Sequence, residues 1–292
     1  MAMFWKKGKK GENEMSFLEH LEELRWHIIR SVLAIFVFMI VAFIFKNFLF
    51  DNVILAPKNP EFFTNRLFCR LGEMLNTTAL CINTKHLNLI NIKMSGQLTT
   101  HIAVAMVSGL ILAFPVILWE FWQFFKPALR QNEAKYAKGA VTAASLLFFT
   151  GVLFGFYLLA PLSFHFLGSY EISPEVTNQI NVRSYIGTLT SICLATGVVF
   201  ELPIVAFFLT KIGVVTPMFM RKYRKHAIVV IFILAAIITP PDIFSQILVS
   251  IPLLILYEVS ILISARVMKQ KDKERDEFMK DDNSSKTEVA TT

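Results

Sequence analysis

The sequence predicts an all-α integral membrane fold of six transmembrane helices, and three observations carry that prediction. The chain is 54% hydrophobic and only 17% charged over 292 residues, a balance that belongs to a membrane protein rather than a soluble domain. It contains several apolar runs near the ~20 residues that cross a bilayer core as a helix. Its lysines and arginines cluster beside those runs. The net charge of +7 therefore marks topology and anionic lipid, not nucleic acid.

In chain order, residues 1–15 are a mobile basic tail. Ser16 precedes Glu19 by three residues, the capping-box spacing for a helix start. Phe17, Leu21, Leu24 and Ile28 then recur at helical spacing as one apolar stripe, opposite Glu19, Glu23, Trp26 and Arg30. The membrane domain covers 16–265, with spans at about 28–45, 98–118, 141–159, 185–209, 226–238 and 243–264. The first run is long and lacks a small-residue cleavage site, so it reads as a retained span. Phe114-Pro115 is placed to kink the second span near its end. The fifth and sixth spans are short. About 13 residues rise roughly 20 Å against a core of ~30 Å, and Pro252 interrupts the last run. The charged segment 266–292 reads as a disordered cytoplasmic tail.

Basic residues set the orientation. The amino-terminal tail, 119–138, 211–225 and the carboxy-terminal tail are rich in Lys and Arg, whereas 160–184 holds only Arg183. By the positive-inside rule both termini are cytoplasmic. The loop at 46–96 carries six basic residues, but long loops translocate largely regardless of charge.

Several residues invite a chemical reading. The stretch WEFWQFFKPALRQNE, residues 119–133, reads as a connection at the membrane surface, with Pro127 turning the chain. It is either a groove with Glu133 as its charged floor or an aromatic anchor beside a solvated acid. Glu201 sits deep in an apolar span, where a carboxylate costs several kcal/mol unless paired, protonated or facing water. Pro203 allows a bend just after it. Thr239, Asp242, Ser245 and Gln246 make a polar cluster at one membrane face, with Asp242 also suited to cap a helix. Glu258 is near enough to a membrane surface to be solvated there. Cys193 reads as a small core residue. Cys69 and Cys81 lie in the loop assigned outside, where a disulfide and two free thiols are both open. No P-loop, HExxH or GxSxG pattern and no metal-ligand spacing occurs, so neither an enzyme nor a cofactor is expected.

Four motifs together resemble one family. Residues 17–25, FLEHLEELR, resemble the HLxELR start of the TatC family, the multispanning signal-peptide receptor subunit of the twin-arginine protein translocase. Trp122 to Glu133 is similar to that family's first cytoplasmic loop, Phe200-Glu201-Leu202-Pro203 to its FExP motif, and 239–246 to its TPPDxxSQ turn. Pro252 and Leu256-Tyr257-Glu258 fit its last span. The resemblance covers about 16–265 and implies a bacterial inner-membrane protein that binds signal peptides bearing two adjacent arginines. Such a protein works with TatA/TatB-type single-span partners in an oligomeric complex, driven by the proton-motive force, to export folded proteins. It further implies that Glu23 and Glu133 contact the arginine pair, since guanidinium groups favour carboxylates in a bidentate fork. Phe124, Pro127 and Leu129 would shape the loop, and His20, Leu21 and Arg25 would set the first helix beside it. Glu201 and Gln246 match the family's membrane-facing polar positions toward partner spans. The external loop with Cys69 and Cys81, and the tail after Arg266, lie outside the pattern. Two alternatives differ in class. A proton-coupled secondary transporter would use Glu201, but no convincing repeat between the halves supports it. An intramembrane hydrolase would need a nucleophile pair that is not evident.

Overall fold

A computed structural model describes residues 17–74, 76, 81–82, 88–125, 137–171, 173, 175, 178–239 and 243–289. Over these residues the fold is almost all helix, because only helices and closed barrels satisfy their backbone within lipid. The α-helices are α1 (Phe17–Ile44), α2 (Phe63–Met74), α3 (Gly96–Phe125), α4 (Ala137–Phe154), α5 (Ala160–Ser169), α6 (Val182–Phe200), α7 (Leu202–Ile212), α8 (Pro217–Lys222), α9 (Arg224–Ile238) and α10 (Ile243–Val289). Two-residue strands β1 (Leu89–Ile90) and β2 (Ile180–Asn181) pair in parallel.

Five segments are long and apolar enough to cross a membrane: Leu21–Ile44, Gly96–Phe124, Gly139–Ser169, Val182–Ile212 and Gln246–Lys273. The chain is a multi-pass membrane protein. α9 has 15 residues, about 22 Å at ~1.5 Å per residue, and falls short of a ~30 Å core. That agrees with the short fifth segment read from the sequence.

Four boundaries differ from the sequence reading. The aromatic stretch from Trp119 is not a connection but the last turns of α3, which runs unbroken through Pro115 to Phe125. No helix breaker intervenes before Pro127, and the residue before a proline disfavours helix. The third segment does not end at 159. A π-helical turn at Gly155–Leu159 leads directly into α5, with Pro161 in its first turn. Pro161 has no N–H for the carbonyl of Tyr157, four residues back, and the Thr64 hydroxyl donates to that carbonyl. The last span is not short. α10 carries Pro252 inside it, held between α7 and α9, as bundle neighbours permit. The segment after Arg266, read as a disordered tail, continues α10 to Val289. It contains no Gly or Pro, and Asp272 and Arg275 pair one turn apart at 3.6 Å. The tail at 1–15 lies outside the described residues.

Packing relies on missing side chains. α1 packs chiefly along α3, where a Cβ on Gly109 would stand 2.7 Å from the backbone nitrogen of Met39. α4 packs on α6, where a Cβ on Gly151 would stand 2.7 Å from the carbonyl oxygen of Thr196. Small residues at such crossings let helix backbones approach, which is where membrane helices gain packing. The core has two main parts. One lies around Val104, Phe164, Tyr185 and Leu189, and the other around Ile192, Ile231, Val249 and Leu253.

The loop between α1 and α3 is structured. The Tyr185 hydroxyl donates to the Ile54 carbonyl at 3.0 Å, Phe62 stacks on Tyr157, and Cys69 and Cys81 form a disulfide. The variant Gly109→Leu is expected to destabilise the protein by about 1–3 kcal/mol through forced separation of α1 and α3. Gly139→Ala, where a Cβ meets nothing within 4 Å, should leave the melting temperature in detergent unchanged.

Candidate functional site

The candidate site is built where α1 enters the membrane beside the end of α3. Glu23, His27 and Arg30 lie at i, i+4 and i+7 and so share one helix face. That face meets α3. His27 and Glu120 are both buried, and His27 Nδ1 lies 2.6 Å from Glu120 Oε2. The Arg30 guanidinium reaches the same oxygen at 3.7 Å from the exposed side. Phe124 sets its ring edge-on to His27, with centroids 6.2 Å apart. One turn before His27, Glu23 Oε2 is buried and has no hydrogen-bond partner among the described residues. A buried oxygen of this kind favours a cationic donor, and none of the described residues supplies one.

The apolar stripe of α1 turns outward. Leu21 and Ile28 are exposed, as are Val32, Leu33 and Phe36 further along, so this surface faces lipid while the polar face meets protein. Arg25 is exposed. Trp122 is buried against Val141 and Phe208 rather than serving only as a surface anchor. Glu133, Pro127 and Leu129 lie outside the described residues, as does the side chain of His20.

The second group of predicted residues is dispersed. Glu201 forms the break between α6 and α7, with Pro203 in the first turn of α7. Its carbonyl accepts from Ile204 and Val205 at 2.9 and 3.0 Å, while its side-chain Oε1 is buried without a partner among the described residues. Gln246 Nε2 donates to the Phe232 carbonyl at 3.1 Å, so it ties α10 to α9. Asp242 and the side chain of Ser245 lie outside the described residues. Glu258 is not merely solvated: it pairs with Arg224 at 2.6 Å, and Tyr257 beside it donates to the Met220 carbonyl at 2.9 Å.

His27 and Glu120 escaped the sequence reading. Glu120 looked like part of a surface connection, and only the continuation of α3 turns it inward. The spacing of Glu23, His27 and Arg30 was the available signal, since such a face suits a protein neighbour better than lipid.

Comparison with known proteins gives the family. Residues 19–252 match the family model described as Sec-independent protein translocase protein (TatC). The chain belongs to the TatC family. It is 41% identical over 265 residues to the Sec-independent protein translocase protein TatC of Blattabacterium sp. subsp. Periplaneta americana, covering 90% of this chain and all of that one. The TatC of Desulforapulum autotrophicum is 36% identical over 267 residues, covering 91% of this chain and 90% of its own. A crystal structure of the twin-arginine translocase receptor TatC superposes with a TM-score of 0.65 at 32% identity, covering 86% of this chain and all of that one. A second, in DDM, gives 0.66 at 33% identity, covering 84% of this chain and 99% of that one. TatC is a translocase family and not a known enzyme family. The transporter alternative finds no support in these matches.

Removing one member of the buried His27–Glu120 pair strands the other. Glu120→Ala is expected to cost about 1–3 kcal/mol, with a non-additive double-mutant cycle against His27→Ala. Glu258→Ala removes a half-exposed pair and should cost no more than about 1 kcal/mol. Unfolding in detergent, followed for each variant, checks both.

Proposed function

We propose that this TatC protein is the signal-peptide receptor and core subunit of a twin-arginine translocase in a bacterial cytoplasmic membrane. It binds signal peptides with two adjacent arginines at its cytoplasmic face. With TatA/TatB-type single-span partners, in an oligomeric complex, it brings folded proteins across at the expense of the proton-motive force. In this reading it is a receptor and scaffold, not an enzyme, and needs no cofactor. The supporting observation is Glu23: a carboxylate with one buried oxygen that has no hydrogen-bond partner among the described residues, on a helix face whose His27 and Arg30 already serve Glu120. A peptide guanidinium supplies the missing donors in bidentate form, which an ammonium group cannot. Glu133 is the second carboxylate, carried by the connection that follows Phe124. Phe124, Pro127 and Leu129 shape that connection, and His20, Leu21 and Arg25 set the first helix beside it. Glu201, Pro203, Asp242 and Gln246 are the polar positions offered to partner spans.

The proposed topology has six spans, α9 being the short fifth, with both termini cytoplasmic. The distribution of Lys and Arg supports it. A short α9 is compatible with crossing if neighbours or a locally thinned bilayer shelter it.

Two measurements test the proposal. The purified protein in detergent should bind an Arg-Arg signal peptide more tightly than its Lys-Lys counterpart. Glu23→Ala and Glu133→Ala should each weaken Arg-Arg binding by about 2–3 kcal/mol. Binding indifferent to all three changes would defeat the assignment. For topology, cysteines introduced as Gly11→Cys and Thr291→Cys should react with an impermeant maleimide only in inverted vesicles, and Ser95→Cys only in intact cells lacking an outer barrier. Labelling of the termini from outside would reverse the orientation.

A further inference from the structure

At the end of the bundle away from Glu23 lies a cavity of about 320 Å³, lined by Asn91, Lys93, Gly96, Asn181, Arg183 and Ser184. The rise of α3 from Gly96 to Glu120 puts it about 36 Å from the site above, at about 1.5 Å per residue. The cavity follows from topology. Parallel pairing of Leu89 with Ile180 and Ile90 with Asn181 carries two segments side by side into the starts of α3 and α6. Both helices therefore begin at one place, and two cationic side chains, Lys93 and Arg183, meet there.

Three features of this cavity point to a ligand. First, both cations are exposed, and neither is paired with a carboxylate among the described residues. Arg183 is also the sole Lys or Arg between 160 and 184, so this basic residue stands where the segment is otherwise bare of positive charge. Second, the backbone bearing the cations is held in place. Asn91 Nδ2 donates to the Lys93 carbonyl at 2.8 Å, and the Arg183 N–H donates to Asn181 Oδ1 at 2.9 Å. Third, the neighbours of Lys93 are apolar and exposed: Ile92 at 75%, Met94 fully, and Leu98 at 59%. A free anion has no use for such a collar. A lipid does, because its phosphate meets the cations while its acyl chains lie on the apolar side chains. The positive ends of two helices add to the same preference.

We propose that this cavity binds the headgroup of an anionic phospholipid, with Arg183 and Lys93 on the phosphate and Ile92, Met94 and Leu98 along the acyl chains. The bound lipid would bridge the starts of α3 and α6 at the membrane surface. The shared chemistry with inorganic phosphate is the phosphate group itself, and the apolar collar is what selects the lipid.

The test uses the full chain in detergent, titrated with phosphatidylglycerol or phosphatidylcholine of identical acyl chains and read by native mass spectrometry. Wild type should retain phosphatidylglycerol preferentially. The double variant Lys93→Gln/Arg183→Gln should bind it roughly thirtyfold more weakly, with phosphatidylcholine unchanged. Ile92→Ser/Met94→Ser should also weaken phosphatidylglycerol binding. A melting curve confirms that each variant is folded. If the double charge variant fails to melt cooperatively, Lys93→Gln alone carries the test, with about a fivefold loss expected. Equal retention of phosphatidylglycerol by wild type and charge variant overturns the proposal. So does its displacement by millimolar inorganic phosphate, which would assign the cavity to a free anion.

Discussion

Lipid offers no hydrogen bonds, so every interruption of a membrane helix must be answered by protein, and this fold is arranged around those answers. Where Pro161 leaves the Tyr157 carbonyl without its helical donor, Thr64 supplies one. Where a second π-helical segment, Phe48–Ile54, ends, the Tyr185 hydroxyl donates to the Ile54 carbonyl. Gln246 bonds the Phe232 carbonyl, tying the short α9 to α10, and Tyr257 does the same for Met220 of α8. Asn65 donates to the Asn59 carbonyl in the loop beside Thr64. Each donor comes from a different element than its acceptor or from across a turn. The same contacts that satisfy the backbone therefore also set how the elements sit.

That constraint explains why the external loop belongs to the fold. It feeds the Thr64 hydrogen bond and the ring of Phe62 to the π-helical turn of the third segment. The disulfide between Cys69 and Cys81 joins the middle of α2 to the chain beyond it. The first two long helices are fixed to each other differently. α1 is clasped to α3 by the His27–Glu120 pair near its start and by Phe43 stacked on His101 near its end, with Gly109 admitting close approach between them. Glu23 lies one turn before the His27 anchor on the same helix. A carboxylate held this way keeps its geometry without a partner, which suits recognition of a planar, doubly donating cation. Glu201 presents the contrasting case. Its backbone at the α6–α7 break is satisfied by the turn that follows, yet its side-chain Oε1 is buried and unanswered among the described residues.

The sequence by itself determined the class of fold, the order of its apolar segments, the shortness of α9 and the motifs that place the chain in the TatC family. These depend on composition and on residues close in the chain, which local periodicity reports directly. Glu201 was legible as a charge out of keeping with its apolar neighbours, and Glu23 as part of the polar face of the first helix and of the FLEHLEELR motif. Tertiary structure alone decided which helices end where. Pro252 reads as a break because a proline removes a bond, and the third span reads as ending at 159, two residues before Pro161; only neighbouring helices and side chains show both interruptions to be tolerated. It alone decided that Glu120 turns inward to His27, 93 residues away, that Glu258 meets Arg224, and that Lys93 and Arg183 share one cavity. Such pairings arise from helix packing between distant segments, and no spacing along a single chain encodes them.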